Sequence, residues 1–159
     1  MAIPPRGNTG YGTYFITAST SQRKSLFQSD ALAHLLIDVF MHYRSQGKFR
    51  LHEFVVMPNH FHLLITPVES LERVMQFVKG GFSFRAKREL GFGSELWEKS
   101  FYDHRIRDVG EYERCRKYIL HNPVKRGLVE SAELYPYSSA AGFVLDDVPQ
   151  RLKPVVISA

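Results

Sequence analysis

Residues 50–66, RLHEFVVMPNHFHLLIT, form two strongly apolar runs separated only by Pro58-Asn59. Proline has no amide proton to give to a sheet and Pro-Asn favours a turn, so the segment is not one long element. It predicts a β-hairpin of Arg50–Met57 and His60–Thr66, apolar enough to belong in the middle of a sheet. Side chains alternate along a strand, so Phe61, Leu63 and Ile65 point one way and His60 and His62 the other. The apolar row has to be covered by helices. Two imidazoles are left side by side on the opposite face.

The flanking residues supply those helices. Gly12–Thr20 (GTYFITAST) is β-branched and aromatic and reads as a first strand. Ser29-Asp30 caps a helix running to about Ser45, with Leu32, Leu35, Leu36, Val39 and Phe40 at helical spacing and Gly47 as its stop. Ser70 opens a second helix with Leu71, Val74, Phe77 and Val78 on one side. Gly80-Gly81 is expected to weaken or bend it before the basic stretch Arg85–Arg88. Beyond the turn-rich GFGSELWEKS, Tyr102–Arg107 reads as a fourth strand. Asp108 and Glu111 have capping-box spacing for a third helix, which Pro123 should stop. The order strand, helix, strand, strand, helix, strand, helix predicts an α+β, ferredoxin-like split βαβ sheet. It would have four to five antiparallel strands, helices on one face and an added C-terminal helix.

The 159 residues fit one domain, 1–159, with 1–10 and 147–159 as loose tails. No apolar run approaches the roughly 18–20 residues of a membrane span, and no apolar core follows Arg6 to make a signal peptide. A cytoplasmic protein without membrane contact is the expectation. The single cysteine, Cys115, excludes an internal disulfide framework and a cysteine zinc cluster. A net charge of +5 suits a polyanionic partner without requiring one.

Two places carry chemistry. His60 and His62 are spaced to share one cation through neutral ring nitrogens, or to be an ordinary pair of half-exposed surface histidines. In EYERCRKYILHNPVKRGLV, Tyr118 and Asn122 are four apart and share a helical face, with Arg114, Arg116 and Lys117 around them. A tyrosine near cations and a metal can act as a nucleophile toward phosphorus, and a carboxamide oxygen is a hard neutral metal ligand. The same residues also fit a ring packed on the sheet and an asparagine ending a helix before a proline.

Together, VVMPNHFHLLI (55–65) and YILHNPVKRGLV (118–129) resemble the single-tyrosine transposases of the HUH superfamily, most closely the REP-associated tyrosine transposases. The opening GTYFITAST, LWEKSFYDHRIRD (96–108) and YPYSS (135–139) extend the resemblance over almost the whole chain, in the expected order. It implies that His60, His62 and Asn122 hold a divalent metal, Mg²⁺ or Mn²⁺, and that Tyr118 is the nucleophile. It also implies a 5′-phosphotyrosine intermediate on single-stranded or hairpin DNA. Either a monomer or a homodimer exchanging its tyrosine helix fits. Candidate phosphate contacts are Lys79, Arg85, Lys87, Arg88, Arg105, Arg107, Lys125 and Arg126, and Tyr11 or Phe92 could stack on bases. His52 and His104 read better as structural histidines than as ligands. A non-catalytic single-stranded nucleic-acid-binding module would need the basic surface but not the four site residues together. A plain metal-dependent hydrolase would need the histidines but not Tyr118.

Overall fold

In a computed structural model, which describes residues 12–93, 95–149 and 152, the apolar hairpin forms one half of a four-stranded antiparallel sheet. Strands β1 (Tyr14–Ser19), β2 (Phe49–Met57), β3 (His60–Pro67) and β4 (Tyr102–Arg105) lie in the order β2-β3-β1-β4. Helices α1 (Asp30–Ser45), α2 (Leu71–Leu90) and α3 (Val109–Lys125) complete the expected α+β, ferredoxin-like order. β3 sits between β2 and β1, which is why seven of its eight residues, all but Thr66, are buried.

The two sheet faces are covered differently. Phe61, Leu63 and Ile65 join Ile16, Phe54 and Val56 in a core closed by Leu36 and Phe40 of α1 and by Val74, Val78 and Phe82 of α2. Burying each such side chain contributes about 1.5–3 kcal/mol, so this layer carries much of the stability. On the other face, Tyr112 and Ile119 of α3 pack on Val55, Met57 and Leu64. An ion pair locks α3 to β2: Arg116 Nε donates to Glu53 Oε2 at 2.9 Å. Ser139 holds the other carboxylate oxygen, donating to Glu53 Oε1 at 2.7 Å. The segment after α3 follows the outer edge of β2, where Val56 N donates to the Tyr137 carbonyl and Tyr135 Oη to the Val56 carbonyl.

Two sequence expectations need correction. α2 runs unbroken through Gly80-Gly81. A Cβ on Gly81 would lie 2.8 Å from the Tyr43 ring, so this glycine lets α1 and α2 approach, and the buried stripe outweighs a helix penalty of about 1 kcal/mol per glycine. Nor does Pro123 end α3, which continues to Lys125. Proline there removes one amide bond in the last turn. The true stop is Gly127 at φ +73°, where Gly127 N donates to Val124 O and Leu128 N to Pro123 O in a Schellman pattern. Asp108 caps α3 as expected, accepting from Glu111 N at 2.8 Å. The return bond goes to Arg107 N rather than to the cap residue itself.

Candidate active site

Strand register sets the rows of the α3-side face. His62 lies between Val55 on β2 and Thr17 on β1, and Thr17 is followed by Tyr102 on β4; His60 lies between Met57 and Ser19. Thr17, Ser19, His60, His62 and Tyr102 therefore line one cavity of about 320 Å³, together with Phe15, Arg23, Tyr118 and Arg126. α3 closes over the row. It buries His60 to 7%, His62 to 4% and Asn122 to 4% of their full exposure, while Tyr118 keeps 45%. The Tyr118 ring meets that of His62 edge-on at 5.3 Å and that of Phe15 at 5.8 Å.

Each histidine is oriented through Nδ1. His60 Nδ1 lies 2.7 Å from Asn59 Oδ1, a carbonyl oxygen that can only accept, so Nδ1 carries the proton and Nε2 keeps its lone pair. His62 Nδ1 lies 2.8 Å from the Thr17 hydroxyl. Burial pushes His60 down to about 4, helped by the positive charges of Arg126 and Arg23. Burial first, then neighbouring His60, pushes His62 down to about 3. Both rings are neutral at physiological pH.

Among the described residues, two buried side-chain polar atoms have no hydrogen-bond partner: His62 Nε2 and Asn122 Oδ1. An unpaired buried polar atom typically costs about 1–3 kcal/mol, and both of these are lone-pair donors of the kind that bind divalent cations. Among the described residues no three His, Cys, Asp or Glu side chains cluster to hold a metal. Neutral imidazole nitrogens and a carboxamide oxygen are donor types that suit such a cation.

The family model for IS200-like transposases matches residues 11–122, a span that contains His60, His62, Tyr118 and Asn122. The chain belongs to this transposase family. Over 134 residues it is 28% identical to the REP-associated tyrosine transposase of Escherichia coli (strain K12), covering 80% of this chain and 76% of that protein. A REP-associated tyrosine transposase homologue of Haemophilus influenzae is 28% identical over 153 residues, covering 84% and 82%. The solved structure of a REP-associated tyrosine transposase bound to a REP hairpin superposes with a TM-score of 0.67 at 25% identity, covering 99% of this chain and all of that one.

The basic residues of the transposase divide by layer. Lys79, Arg85, Lys87 and Arg88 lie on α2, the helix that covers the face opposite the histidines. Lys79 Nζ donates to the Glu98 carbonyl at 2.7 Å, Arg85 pairs with Glu89 at 2.7 Å, and Arg88 stacks over Phe84; Lys87 is exposed. Arg105 is exposed on β4, opposite Tyr14 of the helix-covered face. Arg107 pairs with Glu111, and Lys125 is exposed at the end of α3. Of the eight candidates only Arg126 lines the histidine cavity. His52 bonds Thr66 Oγ1 and the Asp146 carbonyl at the bulge in β2, and His104 pairs with Glu111, so both are structurally engaged. Phe92 is exposed, and Tyr11 lies outside the described residues.

Sequence reading missed Arg23. It lies in a short turn after β1 at φ +53°, preceded by Gln22 at φ +55°, both rare for residues with a Cβ. The turn is tied down on several sides: Thr20 N donates to Asn59 O, Ser21 N to Leu96 O and Gln22 N to Glu98 Oε1. Such over-determined strain aims the Arg23 side chain into the cavity. Among the described residues, neither Arg23 nor Arg126 is paired with a carboxylate. Only the pairing of Ser19 with His60 brings the end of β1 beside the histidines, and register is not written in the residues of one strand.

Proposed function

We propose that this transposase is a divalent-metal-dependent enzyme that nicks and rejoins single-stranded DNA at hairpin-forming repeats, with Tyr118 as nucleophile. The observation that carries the reading is the pair of unpaired buried ligand atoms, His62 Nε2 and Asn122 Oδ1, beside a half-exposed tyrosine. His60, His62 and Asn122 would hold the metal. Bound there, Mg²⁺ or Mn²⁺ supplies Lewis-acid polarisation of the scissile phosphate. All three ligands are neutral, so the protein leaves the metal's charge for the phosphate to complete. The resemblance selects Mg²⁺ or Mn²⁺; two imidazoles alone would suit later transition metals as well.

Arg23 and Arg126 hold the phosphodiester by charge-assisted hydrogen bonds at the mouth of the same cavity. The Tyr118 oxygen attacks phosphorus, a Tyr118 O–P bond forms and the P–O3′ bond breaks. The products are a 5′-phosphotyrosine link and a free 3′-hydroxyl. The link keeps the phosphodiester's bond energy, so a second 3′-hydroxyl can reverse the step without ATP. The relative whose solved structure holds a REP hairpin supports a repeat hairpin as the substrate.

The test is a denaturing gel of the protein with an end-labelled REP-type hairpin carrying single-stranded flanks, in Mn²⁺. A shifted covalent band in the wild type, absent in Tyr118→Phe and in chelator, is the expected result. Cleavage with no shifted band would point to an activated-water hydrolase. Hairpin binding with neither cleavage nor adduct would point to a non-catalytic binding module.

A further inference from the structure

A second cleft, of about 330 Å³, adjoins the histidine cavity and shares three walls with it, the rings of Phe15, Tyr102 and Tyr118. Its polar rim consists of His104, Glu111 and Arg114. The His104–Glu111 pair is satisfied within the protein: His104 Nε2 lies 3.0 Å from Glu111 Oε1, which also accepts from Arg107 N. Arg114 has no carboxylate partner among the described residues and is exposed. The aromatic walls face outward. Tyr102 is 58% exposed and Tyr118 45%, on a protein that buries most of its other rings. An exposed tyrosine on an edge strand, next to an exposed tyrosine on the helix that faces it, has no role in the core.

We propose that this cleft takes one unpaired nucleobase, that of a nucleotide flanking the phosphate held in the histidine cavity. The inference rests on the nicking reading above and adds to it a base-binding subsite walled by Tyr102. A strand whose phosphate lies between His60 and Tyr118 must leave the cavity past neighbouring residues, and on this side the wall is the shared aromatic trio. A base fits the volume, its π-face matches the rings, and its backbone phosphate meets Arg114. Stacking of this kind is tolerant of base identity and works only on a base freed from its pair, which adds to selection of single-stranded DNA. Duplex DNA, with its bases stacked inside, cannot fill the cleft.

The experiment uses the full-length Tyr118→Phe protein, which keeps the aromatic wall and cannot turn over. The probe is a REP-type hairpin with single-stranded flanks in which one abasic residue is moved step by step along the flank. One position should weaken binding on the order of tenfold. That penalty should vanish when Tyr102→Ala is added, and Tyr102→Phe should restore it, because a ring rather than a hydroxyl does the stacking. Tyr102 is exposed, so its replacement leaves the fold intact, and circular dichroism checks this. The proposal is overturned if no single position matters, or if the abasic penalty is the same with and without the Tyr102 ring. Because this readout is binding, it separates from the nicking reading: a Tyr118-dependent adduct without a position-specific penalty removes only the cleft. A penalty without an adduct removes only the chemistry.

Discussion

The two faces of β3 are covered by different helices and put to different uses. Phe61, Leu63 and Ile65 look into the apolar core under α1 and α2. One residue away on either side, His60 and His62 look toward α3 and are just as buried, yet they keep a lone pair or an unpaired nitrogen facing a cavity. Equal burial therefore serves opposite ends. One face gains stability by excluding water, and the other spends some of it to hold two neutral imidazoles in place.

The sharpest way to break this contrast is to truncate neighbours. His62→Ala should lower adduct formation by at least about a thousandfold, since the proposed site loses a metal ligand, and leave the melting temperature within a few degrees of wild type. Phe61→Ala should instead cost about 3–5 kcal/mol of stability, read by urea denaturation. If His62→Ala unfolds the chain as Phe61→Ala does, the α3-side face is core and not site.

A second test uses acid. The folded histidines bind protons only near pH 4 and pH 3, whereas in the unfolded chain they do so near 6.5. Below pH 6.5 the unfolded state therefore holds more protons, and folding stability falls with pH until the folded values are reached. The metal-free protein should lose about 2 kcal/mol per histidine between pH 6.5 and pH 5. Substituting His60 and His62 by Phe should flatten that slope in pH-dependent denaturation.

Cations on the two faces should also separate. Arg23→Ala should weaken hairpin binding roughly tenfold at moderate salt and reduce the salt dependence, as expected for a lost phosphate contact. Arg85→Ala, already paired with Glu89 on α2, should change it less than about twofold. Equal effects would mean that DNA wraps both layers. The smallest expected change is the most diagnostic of burial. Mn²⁺ affinity, measured by calorimetry, should differ by less than about twofold between pH 7.5 and pH 5.5, because both rings stay neutral. An ordinary histidine pair would lose about a hundredfold over the same range.

Much of this was legible in residues alone because its causes are local. The period-two alternation of HFHLLI separates histidines from core whatever the partner strands are, and Ser29, Ser70 and Asp108 each cap the helix their spacing predicts. Tyr118 and Asn122 share a helical face by arithmetic, although the residues alone left their role open. What misled was also local. Gly80-Gly81 and Pro123 carry real penalties, but penalties of one or a few kcal/mol that a buried helix face and a Schellman stop override.

The sequence by itself determined the order of the elements, the two faces of β3 and the residue types available for chemistry, because period, capping and turn preference act over a few residues. Only the tertiary structure decided that α3 buries both imidazoles and keeps them neutral. It also decided that Arg23 and Arg126, not the richer basic stretch of α2, point into the cavity. Burial and register depend on which segments meet across the sheet, and no short stretch of chain contains that information.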